Sequence, residues 1–204
     1  MELSGHQKSW EGPQQARTLQ QLQEQATTAQ DQARLLAVTQ KEAGAWLHAL
    51  PSPQIGTHMS NEVLRVAMAL RLGSKVCLPH KCSGCGKEVT ALGHHGLSCK
   101  KAAGTQSRHA AVNDILARAL TTAEVPCIKE PPGCSRMDGK RPDGLTLVPW
   151  KRGRCLVWDY TCVDTFAKSY ANATKHTPGG AAAIAEAAKN RLYADLLQHY
   201  IFSP

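Results

Sequence analysis

Apolar residues in the C-terminal half of the chain follow first a helical and then a strand period. Residues 106–123 place a row of apolar side chains on one side of a predicted helix: Val112, Ile115, Leu116, Ala119 and Leu120. Runs rich in β-branched residues then predict three strands: 125–130, 141–148 and 154–163. A second helix over 180–198 and a strand that begins at residue 200 follow. This order predicts an α+β domain over 102–204, truncated at its C-terminus because the last strand has barely begun.

The N-terminal half is more polar. Within residues 1–50, a polar tail precedes a Gln- and Ala-rich segment, 14–48, whose apolar residues recur every three or four positions and predict one long helix. Alanine dominates that row, so we expect at most a weak helical partner through this segment. Two prolines then open a linker over 51–76, which contains a short predicted helix.

The positive charge is concentrated after residue 50. The formal net charge is +8; residues 1–50 contribute 4 − 5 = −1, and residues 51–204 contribute 20 − 11 = +9. Such an excess favours a polyanionic partner, with DNA as the first candidate and RNA as the second. The sequence contains neither an apolar run long enough to span a membrane nor the apolar core of a signal peptide. We therefore expect a nuclear or cytoplasmic protein that is not secreted, with its eight cysteines as thiols or metal ligands.

A cysteine- and histidine-rich segment, 77–101, has little apolar periodicity and needs another source of stability. Its spacing is Cys82-x2-Cys85-x8-His94-x4-Cys99. Two cysteines from one tight turn and a distal His and Cys can complete the tetrahedron that structural Zn²⁺ prefers. His95 is the alternative to His94. The sequence predicts a zinc knuckle that is structural rather than catalytic, because four protein ligands close the site.

Two aspartates flank the turn between the second and third predicted strands. If that turn, 149–153, is centred on Lys151, paired residues have numbers that sum to 302, and Asp143 lies directly opposite Asp159. Two like charges at that distance destabilise a sheet unless a cation neutralises them, and hard oxygen ligands suit Mg²⁺. The pair predicts a magnesium site, although Asp143 could instead belong to a Pro-Asp-Gly turn and Asp159 to an exposed face.

A basic group near such a metal would complete a hydrolytic site. Lys189 and Tyr193 lie four residues apart on the second predicted helix and share a face. The lysine could orient water or stabilise charge on a phosphate, or it could be a solvated surface residue. His109, on the first helix, is either close to the metal or a hydrogen-bonded core residue. Glu130 is a weaker metal candidate.

These motifs together resemble the restriction-like endonuclease domain of site-specific non-LTR retrotransposons, a branch of the PD-(D/E)xK nuclease superfamily. The resemblance covers about residues 75–204 and rests on two runs: Gly-His-His-Gly-Leu-Ser-Cys at 93–99 and Asp-Gly-Lys-Arg-Pro-Asp-Gly at 138–144. It implies the superfamily fold and Mg²⁺-dependent nicking of target DNA that primes reverse transcription. By motif, Asp143 and Asp159 are the two acidic positions.

Two features depart from the family pattern. The usual lysine would fall at Thr161, so Lys189 is its natural substitute, with Tyr193 supporting the site. The chain is also too short to contain a polymerase, as expected of a fragment without the reverse transcriptase. Six basic residues are candidates for contacts with the nucleic-acid backbone: Arg108, Lys140, Arg141, Lys151, Arg152 and Arg154. The alternative function is a non-catalytic, zinc-dependent nucleic-acid-binding module.

Overall fold

The structure is a computed structural model that describes residues 3–101, 104–135, 138–167 and 169–204. The chain forms two compact units. The first comprises residues 1–80, 89–94 and 165–180, and the second comprises residues 81–88, 95–164 and 181–204. Within the described residues, no helix has the length and apolar character needed to cross a membrane.

Helices dominate the first unit. The predicted helix over 14–48 is divided into α1 (Leu3–Gln25), α2 (Ala29–Val38) and a 3-10 segment (Lys41–His48). Helix α1 begins within the predicted polar tail, so the prediction that this tail precedes the helix is wrong from Leu3 onwards. The break has a local cause: the Thr28 side chain accepts a hydrogen bond from the Asp31 N–H at 3.1 Å and begins a new helix. Helix α3 (Asn61–Leu72) agrees with the predicted short helix, between a Ser60 cap and Gly73 in the left-handed conformation.

A small hairpin and a single helical turn follow α3. Strands β1 (His80–Lys81) and β2 (Glu88–Val89) pair with each other, and α4 (His94–Ser98) comes next. The turn between the two strands contains Cys82 and Cys85, and its backbone is closed by hydrogen bonds from Cys82 N to Lys87 O and from Gly86 N to Cys82 O, both 2.8 Å. This turn brings the two cysteines together.

The second unit contains a four-stranded mixed sheet. Helix α5 (Gly104–Thr122) precedes β3 (Cys127–Lys129), β4 (Gly144–Thr146) and β5 (Leu156–Trp158). After the short α6 (Ala171–Thr174) of the first unit come α7 (Gly180–Leu192) and β6 (Ile201–Ser203). The sheet order is β3-β4-β5-β6; β6 is parallel to β5 and the other pairs are antiparallel. The predicted order of helix, three strands, helix and strand is therefore present within a mixed α+β protein.

The predicted register of the central hairpin is confirmed. Gly144 pairs with Trp158 and Leu145 with Val157, so the paired numbers sum to 302. The Asp143 N–H donates to the Trp158 carbonyl at 2.9 Å and extends the ladder towards Asp159. The turn at the other end is tight, with Lys151 bridged to Arg154.

The buried side of α5 differs from the predicted apolar row. Ile115 is 57% exposed, whereas Asn113 is only 6% exposed. Asn113 is turned inwards because its side-chain oxygen accepts a hydrogen bond from the Trp158 indole at 3.2 Å. A polar residue thus occupies the centre of the helix interface, and the apolar period alone could not indicate it.

Gly144 packs directly beneath the Trp158 ring, and a Cβ atom at position 144 would overlap the indole carbons. We predict that Gly144→Ala lowers the free energy of unfolding by about 1–3 kcal/mol, because the ring would have to move within a packed interior. Urea denaturation would measure the difference. Gly133→Ala is the control, since nothing lies within 4 Å of a Cβ there; equal stability of the two variants would contradict the packing.

Candidate functional site

Four side chains of the hairpin turn and α4 converge on one point. Ligand atoms of Cys82, Cys85, His95 and Cys99 all lie within 4.8 Å of one another. The Cys82 and Cys99 sulfurs are 3.8 Å apart, which equals the edge of a tetrahedron with Zn–S bonds of about 2.3 Å. The Cys85 sulfur lies 3.2 Å from His95 Nε2, somewhat closer than the corresponding edge of roughly 3.6 Å. This donor set fits a structural zinc ion.

The histidine of this cluster is His95, so the prediction of His94 as the fourth ligand is corrected. Helical geometry explains the choice: the Cys99 N–H donates to the His95 carbonyl at 3.0 Å, and residues four apart share a helix face. The neighbouring His94 instead stacks on the Phe166 ring, with centroids 4.0 Å apart and planes 9° from parallel. The His-x3-Cys spacing was the signal for this pair in the sequence.

The knuckle favours a thiolate at one ligand. Backbone N–H groups of Cys85 and Gly84, together with the His95 side chain, lower the pKa of Cys82 to about 6. The pKa of Cys85 is raised: desolvation and the neighbouring thiols outweigh the Lys87 N–H, which acts in the opposite direction. Thiolate is the metal-binding form of cysteine, so at neutral pH this turn already presents one deprotonated ligand.

A second cluster lies at the edge of the sheet, where β4 begins and β5 ends. Atoms of His109, Asp143 and Asp159 that could hold a metal ion lie within 4.8 Å of one another. Asp159 is 5% exposed. Burial, followed by the nearby Asp159 charge, raises the pKa of Asp143, while hydrogen bonds from Asn113 and Tyr160 act in the opposite direction. A divalent cation would relieve this repulsion, and the two carboxylates are the hard ligands that Mg²⁺ prefers.

Helix α7 brings a cation to one of these carboxylates. Lys189 Nζ lies 2.7 Å from Asp159 Oδ2, and both side chains are largely buried. Tyr193, one turn later, is buried and packs on Phe202 with ring centroids 4.8 Å apart. Its own ring centre is 6.0 Å from Lys189 Nζ. The structure therefore brings the predicted Lys189 and Tyr193 to Asp159, while Thr161 is exposed.

Helix α5 brings further polar groups to the other carboxylate. His109 Nε2 lies 3.2 Å from Asp143 Oδ2, and the Tyr160 N–H donates to that same oxygen at 2.6 Å. Asn113 and Trp158, which the sequence reasoning missed, are hydrogen-bonded behind His109. The spacing of four places Asn113 on the helix face of His109, but no periodic pattern could have identified Trp158, which lies 45 positions from Asn113.

A cleft of about 630 Å³ opens over the two carboxylates. Apart from Asp143 and Asp159, its walls consist of Glu130, Gly139, Lys140, Arg141, Lys189, Leu192 and Tyr193. Glu130 therefore lies in the same cleft as the aspartates. The predicted Lys140 and Arg141 are both exposed on its rim, where they can meet an anionic ligand.

The remaining predicted basic residues differ in their surroundings. Lys151 and Arg152 are exposed at the hairpin tip. Arg154 is half-buried and donates to the Leu197 carbonyl at 3.2 Å. Arg108 is also half-buried and donates to the Leu97 carbonyl of α4 at 3.3 Å. The last two guanidinium groups thus have partners within the protein.

No protein-family model, curated protein or solved structure matches this chain. The interpretation of both clusters therefore depends on their own geometry.

We predict that His95→Ala abolishes stoichiometric zinc binding and that His94→Ala preserves it, because only the first removes a ligand atom. Zinc content per purified chain, measured by elemental analysis, distinguishes the two. Loss of zinc in His94→Ala with retention in His95→Ala would overturn the assignment.

Proposed function

We propose that this protein is a Mg²⁺-dependent DNA endonuclease that nicks target DNA, derived from the restriction-like nuclease of a non-LTR retrotransposon. The observation that carries the proposal is the meeting of two opposed carboxylates, Asp143 and Asp159, with Lys189 in one cleft. The interpretation as a PD-(D/E)xK core is supported by the order α5, β3, β4, β5, α7, β6 and by the mixed sheet.

Asp143 and Asp159 would hold the metal, and Glu130 lies within the same cleft as a further carboxylate. When bound, Mg²⁺ would neutralise charge on the phosphate and lower the pKa of the attacking water. The protein itself supplies a partly buried site in which charges interact more strongly than in bulk water. Two adjacent carboxylates without a cation would be costly there, which is why the site fits a metal better than an exposed turn.

Lys189 would act on the reacting phosphate. Its ammonium group lies 2.7 Å from Asp159 Oδ2, so a phosphate bound at the carboxylates would come within its reach. There it can donate hydrogen bonds to a non-bridging oxygen or orient the water that attacks phosphorus. Tyr193 limits the movement of the lysine by packing beside it. The lysine that the family pattern places at Thr161 thus has a functional substitute on α7.

The charge around the cleft supports a nucleic-acid substrate. Lys140 and Arg141 on the rim can neutralise phosphates next to the cleaved bond. Lys151 and Arg152 lie at the far end of the β4–β5 hairpin, eight and nine residues from Asp143, or up to roughly 25–30 Å if that segment is fully extended. Contacts at the cleft rim and at the hairpin tip would together span several base pairs, as expected of a protein that binds the backbone of duplex DNA.

We predict that the zinc-loaded protein nicks supercoiled plasmid in Mg²⁺, and that Asp143→Asn or Lys189→Met lowers the rate at least about a hundredfold. The reason is loss of a metal ligand in the first case and of transition-state charge stabilisation in the second. Conversion of supercoiled to open-circular plasmid measures the rate.

A surface ion pair offers matched controls for both substitutions. Lys129 Nζ lies 2.6 Å from Asp114 Oδ1, and both side chains are about half exposed. Asp114→Asn and Lys129→Met make the same chemical changes outside the cleft and should cleave as the wild type does. Cleavage that survives Asp143→Asn would contradict the site, and so would equal losses in the control variants.

The alternative is a non-catalytic nucleic-acid-binding module. One observation favours it: each aspartate already has a partner, Lys189 for Asp159 and His109 for Asp143, so the cluster can be stable without a metal ion. Under this alternative, salt-sensitive DNA binding would persist without any cleavage.

Under either function, we predict that the double variant Lys151→Ala/Arg152→Ala binds DNA with a shallower salt dependence. The slope of log Kobs against log salt should fall in magnitude by about 2, since each lost phosphate contact removes roughly 0.9. Fluorescence anisotropy with a labelled duplex at several salt concentrations measures it. The control is Arg65→Ala/Lys129→Ala, whose charges are already paired with Glu62 and Asp114; an equal change there would contradict a specific role for the hairpin tip.

A further inference from the structure

Three side chains form a continuous hydrogen-bonded chain from the interior of the sheet to His109 in the edge cluster. The Trp158 indole N–H donates to Asn113 Oδ1 at 3.2 Å. The Asn113 Nδ2 lies 3.3 Å from His109 Nδ1. His109 Nε2 in turn lies 3.2 Å from Asp143 Oδ2. We call Trp158, Asn113 and His109 the indole–amide–imidazole relay.

The direction of this relay is determined at its inner end. An indole nitrogen can only donate, so the Asn113 atom that faces Trp158 must be its oxygen. The amide nitrogen is then the atom that faces His109, and it can only donate. His109 Nδ1 must therefore accept, which means that it carries no proton. Asn113 and Trp158 are 6% and 4% exposed, so water does not readily compete for these positions.

The contacts of His109 Nε2 require the same arrangement of protons, with Nδ1 unprotonated and Nε2 protonated. His109 Nε2 lies 3.1 Å from the Tyr160 carbonyl oxygen, which can only accept, and close to the Asp143 carboxylate. Two acceptors converge on Nε2, so this nitrogen carries the proton. Both ends independently assign the Nε2–H tautomer to His109.

This tautomer excludes His109 from metal coordination, although its ring lies within ligand distance of both aspartates. A neutral imidazole binds a metal through a nitrogen lone pair, and Nε2–H has none, while the Nδ1 lone pair is engaged by Asn113. The Nε2 proton is instead directed at the Tyr160 carbonyl oxygen at 3.1 Å, with Asp143 Oδ2 3.2 Å from Nε2. The Tyr160 N–H in turn donates to Asp143 Oδ2 at 2.6 Å. Tyr160 therefore links the imidazole to the carboxylate.

We propose that His109 is a positioning residue. The indole–amide–imidazole relay locks its Nε2–H on the Tyr160 carbonyl, beside Asp143, and Tyr160 in turn orients the Asp143 carboxylate for the metal. His109 does not bind the metal itself. The proposal rests on the proposed function, in which Asp143 and Asp159 hold Mg²⁺. In the proposed arrangement only the two aspartates bind the metal, whereas a His-Asp-Asp site would use the imidazole as a third ligand.

The first test reads the tautomer directly. Two-bond ¹H–¹⁵N correlation spectra of the zinc-loaded, full-length protein distinguish Nε2–H from Nδ1–H, and a His109→Gln sample assigns the signal among the nine histidines. We expect the Nε2–H pattern without Mg²⁺ and the same pattern at saturating Mg²⁺. An Nδ1–H pattern, or loss of the Nε2 proton on adding Mg²⁺, would overturn the proposal.

The second test measures metal affinity with Mn²⁺ as the probe, by electron paramagnetic resonance. Trp158→Phe keeps an aromatic ring over Gly144 but removes the donor that orients Asn113. We expect it to mix the two His109 tautomers and weaken Mn²⁺ binding roughly 10- to 100-fold, the usual effect of losing a group that orients a ligand. Trp150→Phe, the same change at the exposed hairpin tip, should leave tautomer and affinity unchanged.

A second pair of variants covers the case in which Trp158→Phe does not fold. His109→Gln retains an N–H donor and should retain more Mn²⁺ affinity than His109→Leu, which has none. Equal affinities in these two variants, or wild-type affinity in a folded Trp158→Phe, would refute the positioning role.

These readouts separate the relay from the nuclease. If the wild type shows the Nε2–H tautomer and relay-dependent Mn²⁺ binding but never cleaves DNA, the proposed function fails and the relay stands. If it cleaves DNA but His109 loses its Nε2 proton to the metal, the nuclease stands and the relay fails.

Discussion

Two carboxylates of like charge, Asp143 and Asp159, face each other beside the β4–β5 pair. Neighbouring side chains of the second unit offset their repulsion. Opposed like charges on adjacent strands destabilise a sheet. Here helix α5 brings the His109 ring within 3.2 Å of Asp143, and helix α7 brings Lys189 into an ion pair with Asp159 at 2.7 Å. Consecutive residues of a strand point to opposite faces, and the contacts agree: Trp158 reaches α5 while Asp159 reaches α7. Side chains of both helices therefore reach the aspartate pair at the end of the two strands.

The features that local rules govern could be predicted from the sequence. The register of the hairpin beside the two aspartates agrees with the predicted sum of 302. At the tip, Lys151 bridges Arg154 and the sum is 305, so the register shifts between the tip and the strands. The order of helices and strands followed from apolar periods. Lys189 and Tyr193 could be placed on one helix face by their spacing of four, although their contact with Asp159 needed the fold.

Features that depend on a specific contact between two side chains in the folded protein could not be predicted. The sequence offered two adjacent histidines, and the choice of His95 depends on which one shares a helical face with Cys99. The burial of Asn113 is not predicted by the rule that apolar residues lie inside, because its cost is offset by hydrogen bonds with His109 four positions away and with Trp158 far away in the chain. The prediction of a single helix over 14–48 likewise did not consider Thr28 as a helix cap. Its side chain accepts a hydrogen bond from the Asp31 N–H and begins a new helix, although the apolar row continues across this position.

One contact joins the zinc knuckle to the edge cluster. Arg108 donates to the carbonyl of Leu97, which lies between the ligands His95 and Cys99, and the residue after Arg108 is His109. The knuckle thus anchors the start of the helix that presents the imidazole. Under the proposed function, a chelator that removes zinc from this cluster would loosen the start of α5 and lower cleavage, although the zinc itself would take no part in the chemical step.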